Sequence, residues 1–159
     1  MIKIFQNHFG GSDAPLEEQG NCFQACVATV LQIPLEKAFD CRPMPGEKWF
    51  AKFNEWLEQY NLGCIFLEAN NETIPCTMLK GLHIAEHMSK TLYNGERHVV
   101  VICDGVFLHD PNPYANHRGK FQGVYLFVPL KAYRMILGRI TDERPGTPVC
   151  NDSPGDISR

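Results

Sequence analysis

GNCFQACVATVL, residues 20–31, reads as an α-helix that opens on a cysteine. Asn21 is a suitable capping residue for a run from Cys22 to about Gln32, and Pro34 stops it. Ala25, Cys26, Thr29, Val30 and Ile33 fall along one side, predicted to be buried. A cysteine in a first helical turn faces the positive end of the helix dipole and unpaired backbone N–H groups. That placement favours the thiolate and supplies donors for a developing oxyanion. Simple packing accounts for Cys22 equally well, and helix position alone does not separate the two. Cys26, one turn further in, shares the face of Cys22, but its N–H is engaged in the helix. It reads as core, with the nucleophile role as its lesser alternative.

Working outward, residues 1–6 suggest a short strand, and the loop NHFGGSDAPLEEQG that follows is rich in turn formers. Beyond the Pro-rich CRPMPG, the periodicity predicts a helix from about Glu47 to Asn61. Its stripe of Trp49, Phe53, Trp56, Leu57 and Tyr60 is read as core, with Gly63 just past the end. Strands then dominate: CIFLEA (64–69), LHIAE (82–86), HVVVI (98–102), VFLHD (106–110) and VYLFV (124–128). Helices first and sheet later define the α+β class, with the N-terminal helix packed on an antiparallel sheet. The tail ERPGTPVCNDSPGDISR is expected to be a flexible segment over 143–159 without chemistry, leaving one domain over 1–142.

Composition narrows the function classes. The 159 residues suit one domain, and 44% hydrophobic with 21% charged residues is ordinary for a globular chain. A net charge of −3 without a basic run argues against nucleic acid and anionic membranes as partners. No stretch has the length of a signal peptide or a spanning helix, so a cytoplasmic location is expected. Seven cysteines, an odd number mostly inside apolar runs, fit reduced thiols better than a disulfide scaffold.

A thiolate nucleophile needs a histidine to shuttle its proton and a third group to fix the ring. His98 begins one strand and Asp110 ends the next, so the turn between them decides whether they meet. A two-residue Asp104-Gly105 turn pairs Cys103 with Val106 and puts His98 and Asp110 on opposite faces. A three-residue Cys103-Asp104-Gly105 loop with a bulge pairs Ile102 with Val106, Val100 with Leu108 and His98 with Asp110. Composition permits either. Only the second makes a directly opposed dyad, and it is the expectation adopted. The plainer account is a strand-end histidine and an Asp-Pro turn.

Three segments together resemble a known family. GNCFQACVATVL is similar to the nucleophile helix of the papain-like peptidases that clip double-glycine leaders from bacteriocins, where Cys-x-x-Ala-Cys-x-Ala is typical. HVVVI and LHDPNP resemble the His-Val-Val strand and Asp-Pro turn of that group. Small bacterial and phage proteins with Gln-x-x-Phe-Gly ahead of a GNC or GDC helix resemble it more closely, through QNHFG (6–10), GNC (20–22), HVVV (98–101) and HDPNP (109–113). The resemblance covers about thirty residues in order and leaves the chain between them unmatched. It implies a papain-like fold, with Cys22 as nucleophile, His98 as base and Asp110 as orienter. It further implies a glutamine amide at the oxyanion, for which Gln6 and Gln19 are the candidates, since Leu16 stands six residues before Cys22. Phe23 replaces the glycine that usually follows the nucleophile, which suggests a narrower or differently shaped cleft. A phage origin would place the protein in the host cytoplasm.

One other constellation competes. HIAEH (83–87) matches a zinc pattern that requires both histidines on one helical face, yet the segment reads as strand. No Cys-x-x-Cys pair and no Gly-rich phosphate loop is present, so neither metal nor other cofactor is expected. The expected function is a cysteine hydrolase acting through a thioester on a peptide, isopeptide or side-chain amide bond of a peptide or protein substrate. Deamidase and transglutaminase use the same triad. The alternative class is a catalytically inactive papain-like binding module that captures a peptide or host protein.

Overall fold

The computed structural model describes residues 1–44, 46, 48–69, 79–89, 96–115 and 118–142. Helix α1 (Cys22–Leu31) and α2 (Lys48–Leu57) precede β1 (Leu62–Glu68), β2 (Leu82–Ser89), β3 (Arg97–Cys103), β4 (Val106–His109) and β5 (Arg118–Pro129); α3 (Leu130–Asp142) follows. The five strands form one antiparallel sheet in the order β1-β5-β2-β3-β4. The fold is α+β. The expected tail, 143–159, lies outside the described residues.

Both faces of the sheet are covered. On one, Ile84, Val99, Val101 and Tyr125 pack with Cys26, Val27 and Ala28 of α1 and Phe53 and Leu57 of α2. On the other, Ala85, Val100, Ile102 and Val124 gather with Leu79. The alternation within HVVVIC therefore buries both parities, which is why that run is continuously apolar. Helix α1 is enclosed rather than one-sided: Phe23 through Thr29 are all buried, whereas Val30 and Ile33, expected inside, are half-exposed. Of the expected stripe Phe53 and Leu57 are buried, Trp49 and Trp56 pack half-buried against them, and Tyr60 lies past the end of α2; Phe23, Trp49, Phe53 and Tyr125 meet edge-on or tilted at centroid distances of 5.1–6.4 Å. Buried Asn54 reaches out of α2 to accept the Cys64 N–H at 2.6 Å, satisfying a donor on edge strand β1.

Two local expectations are corrected. Residues 1–6 form no strand; side chains of α1 hold them instead. Thr29 Oγ1 accepts the Ile4 N–H at 2.9 Å, and Gln32 brackets Ile2 through Oε1 (2.7 Å) and Nε2 (3.1 Å). Asn21 does occupy the N-cap position of α1, but its side chain makes no capping hydrogen bond, being committed to Asn7, His8 and Gln24.

The β3–β4 turn is the third correction. It is the two-residue Asp104-Gly105 turn, with Cys103 opposite Val106 and Ile102 opposite Phe107. Both central residues have positive φ, 50° and 75°, the geometry Asp-Gly adopts readily in tight hairpins. Gly81 secures that turn, donating its N–H to Asp104 Oδ1 at 2.9 Å and accepting the Asp104 N–H at 3.0 Å. The bulge sits further along. Val101 pairs with His109, so Leu108 is the extra residue on β4.

Candidate active site

Cys22 is the first residue of α1 and is half-exposed. The first helical hydrogen bond runs from Ala25 N to Asn21 O, which leaves the Cys22 N–H in the unpaired first turn. Chain entry into this turn is fixed by backbone pairing: Gly10 donates to Glu18 O at 2.8 Å, and Gly20 donates to Gly10 O at 2.8 Å. Asn21, buried, accepts the N–H groups of Asn7 and His8, both at 3.1 Å. The nucleophile candidate thus stands on a braced loop.

The structure brings His98 and Asp110 together despite the two-residue turn. The Leu108 bulge shifts the register by one residue just before β4 ends at His109, and Asp110 leaves the strand at that point to meet the start of β3. His98 Nε2–H donates to Asp110 Oδ1 at 2.8 Å. The same oxygen accepts the Asn112 N–H at 2.9 Å, so the Asp-Pro turn and the histidine partner are one structure.

Cys22 completes the cluster, standing close enough to the His98 ring to raise its pKa. With Nε2 occupied by Asp110, Nδ1 is the nitrogen left for sulfur. Burial alone would press the His98 pKa down. The hydrogen bond to Asp110 and the nearness of Cys22, with the charge of both, override it and raise the pKa from 6.5 to about 9. At neutral pH His98 is therefore cationic beside the sulfur.

Burial acts on three further thiols, Cys26, Cys41 and Cys64. Cys26 is fully buried, and its pKa is pushed well up by burial and then by Cys22 and Asp110. Burial raises Cys64 likewise and takes Cys41 up to about 12.

Of the two glutamines, Gln6 is at the site and Gln19 is turned away. Gln6 is buried, its N–H bonds to Pro111 O at 3.0 Å beside Asp110, and its Nε2 lies 3.9 Å from where a side chain on Gly20 would begin. One amide hydrogen is given to His8 O at 2.8 Å, and its Oε1 has no partner among the described residues. Gln19 Nε2 instead donates to Ser12 O (3.1 Å) and Ala14 O (2.9 Å), closing its own loop.

Sequence reasoning missed the brace of this site. His109, read only as part of HDPNP, is buried and donates from Nε2 to Ile4 O at 2.8 Å. Arg42, gripped by Asp40, reaches Gln19 O at 3.1 Å. Nothing in spacing links residues so distant in sequence. HIAEH lies in β2, where four residues span roughly 13 Å, too far for His83 and His87 to share an ion. Among the described residues no group of three or more His, Cys, Asp or Glu could hold a metal. None of the described helices is long and apolar enough to cross a membrane. Comparison with protein-family models, with curated proteins and with solved structures returned no match.

Proposed function

We propose that this protein is a papain-like cysteine hydrolase cleaving a peptide, isopeptide or side-chain amide bond. The observation that carries the reading is the hydrogen bond from His98 to Asp110 Oδ1 beside the half-exposed Cys22 thiol at a helix start. In the reactive pair His98 already holds the thiol proton, and the Cys22 sulfur attacks the carbonyl carbon as thiolate while the π electrons move onto oxygen. The Cys22 N–H and the second Gln6 amide hydrogen are the donors for that oxyanion. Collapse breaks the C–N bond, and His98 protonates the leaving nitrogen. The thioester then yields to water, whose proton His98 takes, or to an amine in a transfer reaction. Asp110 keeps the ring oriented and its positive charge compensated throughout.

The test is alkylation by iodoacetamide at pH 6, with every cysteine followed by peptide mass spectrometry. Cys22 is expected to react at least about tenfold faster than half-exposed Cys103, and His98→Ala to remove the advantage. Equal rates at Cys22 and Cys103 would overturn the reading.

A further inference from the structure

The segments that brace the triad each carry an exposed aromatic ring, and the two rings meet. Phe9 lies between His8, bonded to Asn21, and Gly10, bonded to Gly20, so its backbone adjoins the turn that delivers Cys22. Tyr114 follows the turn of Asp110, its N–H bonded to Asn112 Oδ1 at 2.9 Å and the Asn112 N–H bonded to Asp110. The ring centroids are 5.7 Å apart, edge to face at 61°. Their mutual contact covers little: Phe9 remains 43% and Tyr114 76% exposed. A single exposed ring is unremarkable. Two in contact, carried on the hydrogen-bonded segments that lead to Cys22 and away from Asp110, hold an apolar surface in water that packing among the described residues does not require.

We propose that Phe9 and Tyr114 form a substrate platform that takes an aromatic or branched aliphatic residue next to the scissile bond. The inference rests on the hydrolase reading and narrows it to apolar sequences beside the cleaved amide. Continuity with the triad decides the occupant. A substrate held at Cys22 extends roughly 3.3 Å per residue, and Phe9 adjoins Gly10, which is paired with Gly20, two residues before the sulfur. Edge-to-face rings also offer an aromatic guest both a face and an edge.

The experiment compares alkylation of Cys22 by N-benzyl iodoacetamide and by iodoacetamide, each rate divided by that of the same reagent with glutathione. The platform predicts that the benzyl reagent gains about tenfold or more at Cys22 in the native protein. The gain disappears in the Phe9→Ser/Tyr114→Ser variant and survives in Phe9→Leu/Tyr114→Phe, with circular dichroism reporting that each variant is folded. A native ratio near one, or a ratio that the serine variant leaves unchanged, overturns the platform while Cys22 selectivity for iodoacetamide leaves the hydrolase reading standing. A ratio near one together with concentration-dependent self-association reassigns the rings to a second copy of this chain. Loss of iodoacetamide selectivity in the native protein removes both readings.

Discussion

His98 is pulled in two directions, and the balance gives the site its chemistry. Burial disfavours its charged form, while Asp110 and Cys22 favour it more strongly and carry the pKa to about 9. Asp110→Asn keeps an acceptor for the Asn112 N–H but removes the charge. The pH at which His98 titrates should fall by one or more units, measured by its ring proton shifts in NMR. The two glutamines separate at the same scale. Gln6→Ala should lower turnover of an amide substrate by about a hundredfold while leaving a folded protein, because an oxyanion donor acts only once charge develops on oxygen. Gln19→Ala loosens the loop over residues 12–19 and should cost about 1 kcal/mol in stability, read by urea denaturation, with a far smaller effect on turnover. Cys22, His98 and Asp110 were legible because each stands at the end of an element, with a chemistry-bearing residue type and recognisable neighbours. The choice between Gln6 and Gln19 was not, since the Gln-x-x-Phe-Gly segment pointed to Gln6 and nearness to Cys22 in sequence pointed to Gln19, whose side chain closes its own loop.

At the scale of elements, the β3–β4 hairpin shows how a correct pairing can arise by a different route. The sequence reading gave the turn three residues because only that register opposed His98 and Asp110 directly. Asp104-Gly105 instead fills a two-residue turn, and Leu108 supplies the extra residue on β4. A bulge has no composition of its own when the extra residue is an ordinary leucine, so it could not be read. Deleting Leu108 should close the ladder with Val101 still opposite His109, so that Asp110 keeps its place beside His98. The selective alkylation of Cys22 should survive the deletion, with circular dichroism reporting that the sheet is folded. Strand identities were legible from β-branched runs, whereas α3 was not anticipated at all. Its seat is set by Gly63, where an added Cβ would fall 2.3 Å from Tyr133 Cγ. Gly63→Ala should therefore lift α3 from β1, seen as faster amide exchange confined to 130–138 and a loss of about 1–3 kcal/mol.

Across the whole molecule, the site joins parts that are remote in the chain. The N-terminal segment touches α1 through Thr29 and Gln32, β4 through His109 and the Asp110 turn through Gln6. Such long-range bonds make assembly of the site a consequence of global folding, and they couple its ionisation to stability. His98 has a folded pKa of about 9, above its value near 6.5 in an unfolded chain. Protonation therefore favours the folded state. The contribution is fully present below pH 6.5 and declines as pH rises through 9, up to about 3 kcal/mol in all for a side chain 15% exposed. Urea denaturation between pH 6 and 9.5 should record that decline in the native protein. His98→Gln, which keeps a donor for Asp110 but cannot titrate, should remove this component of the slope. An unchanged slope in the variant would mean that His98 does not bind its proton more tightly in the folded chain, and the charge beside Cys22 would need another source.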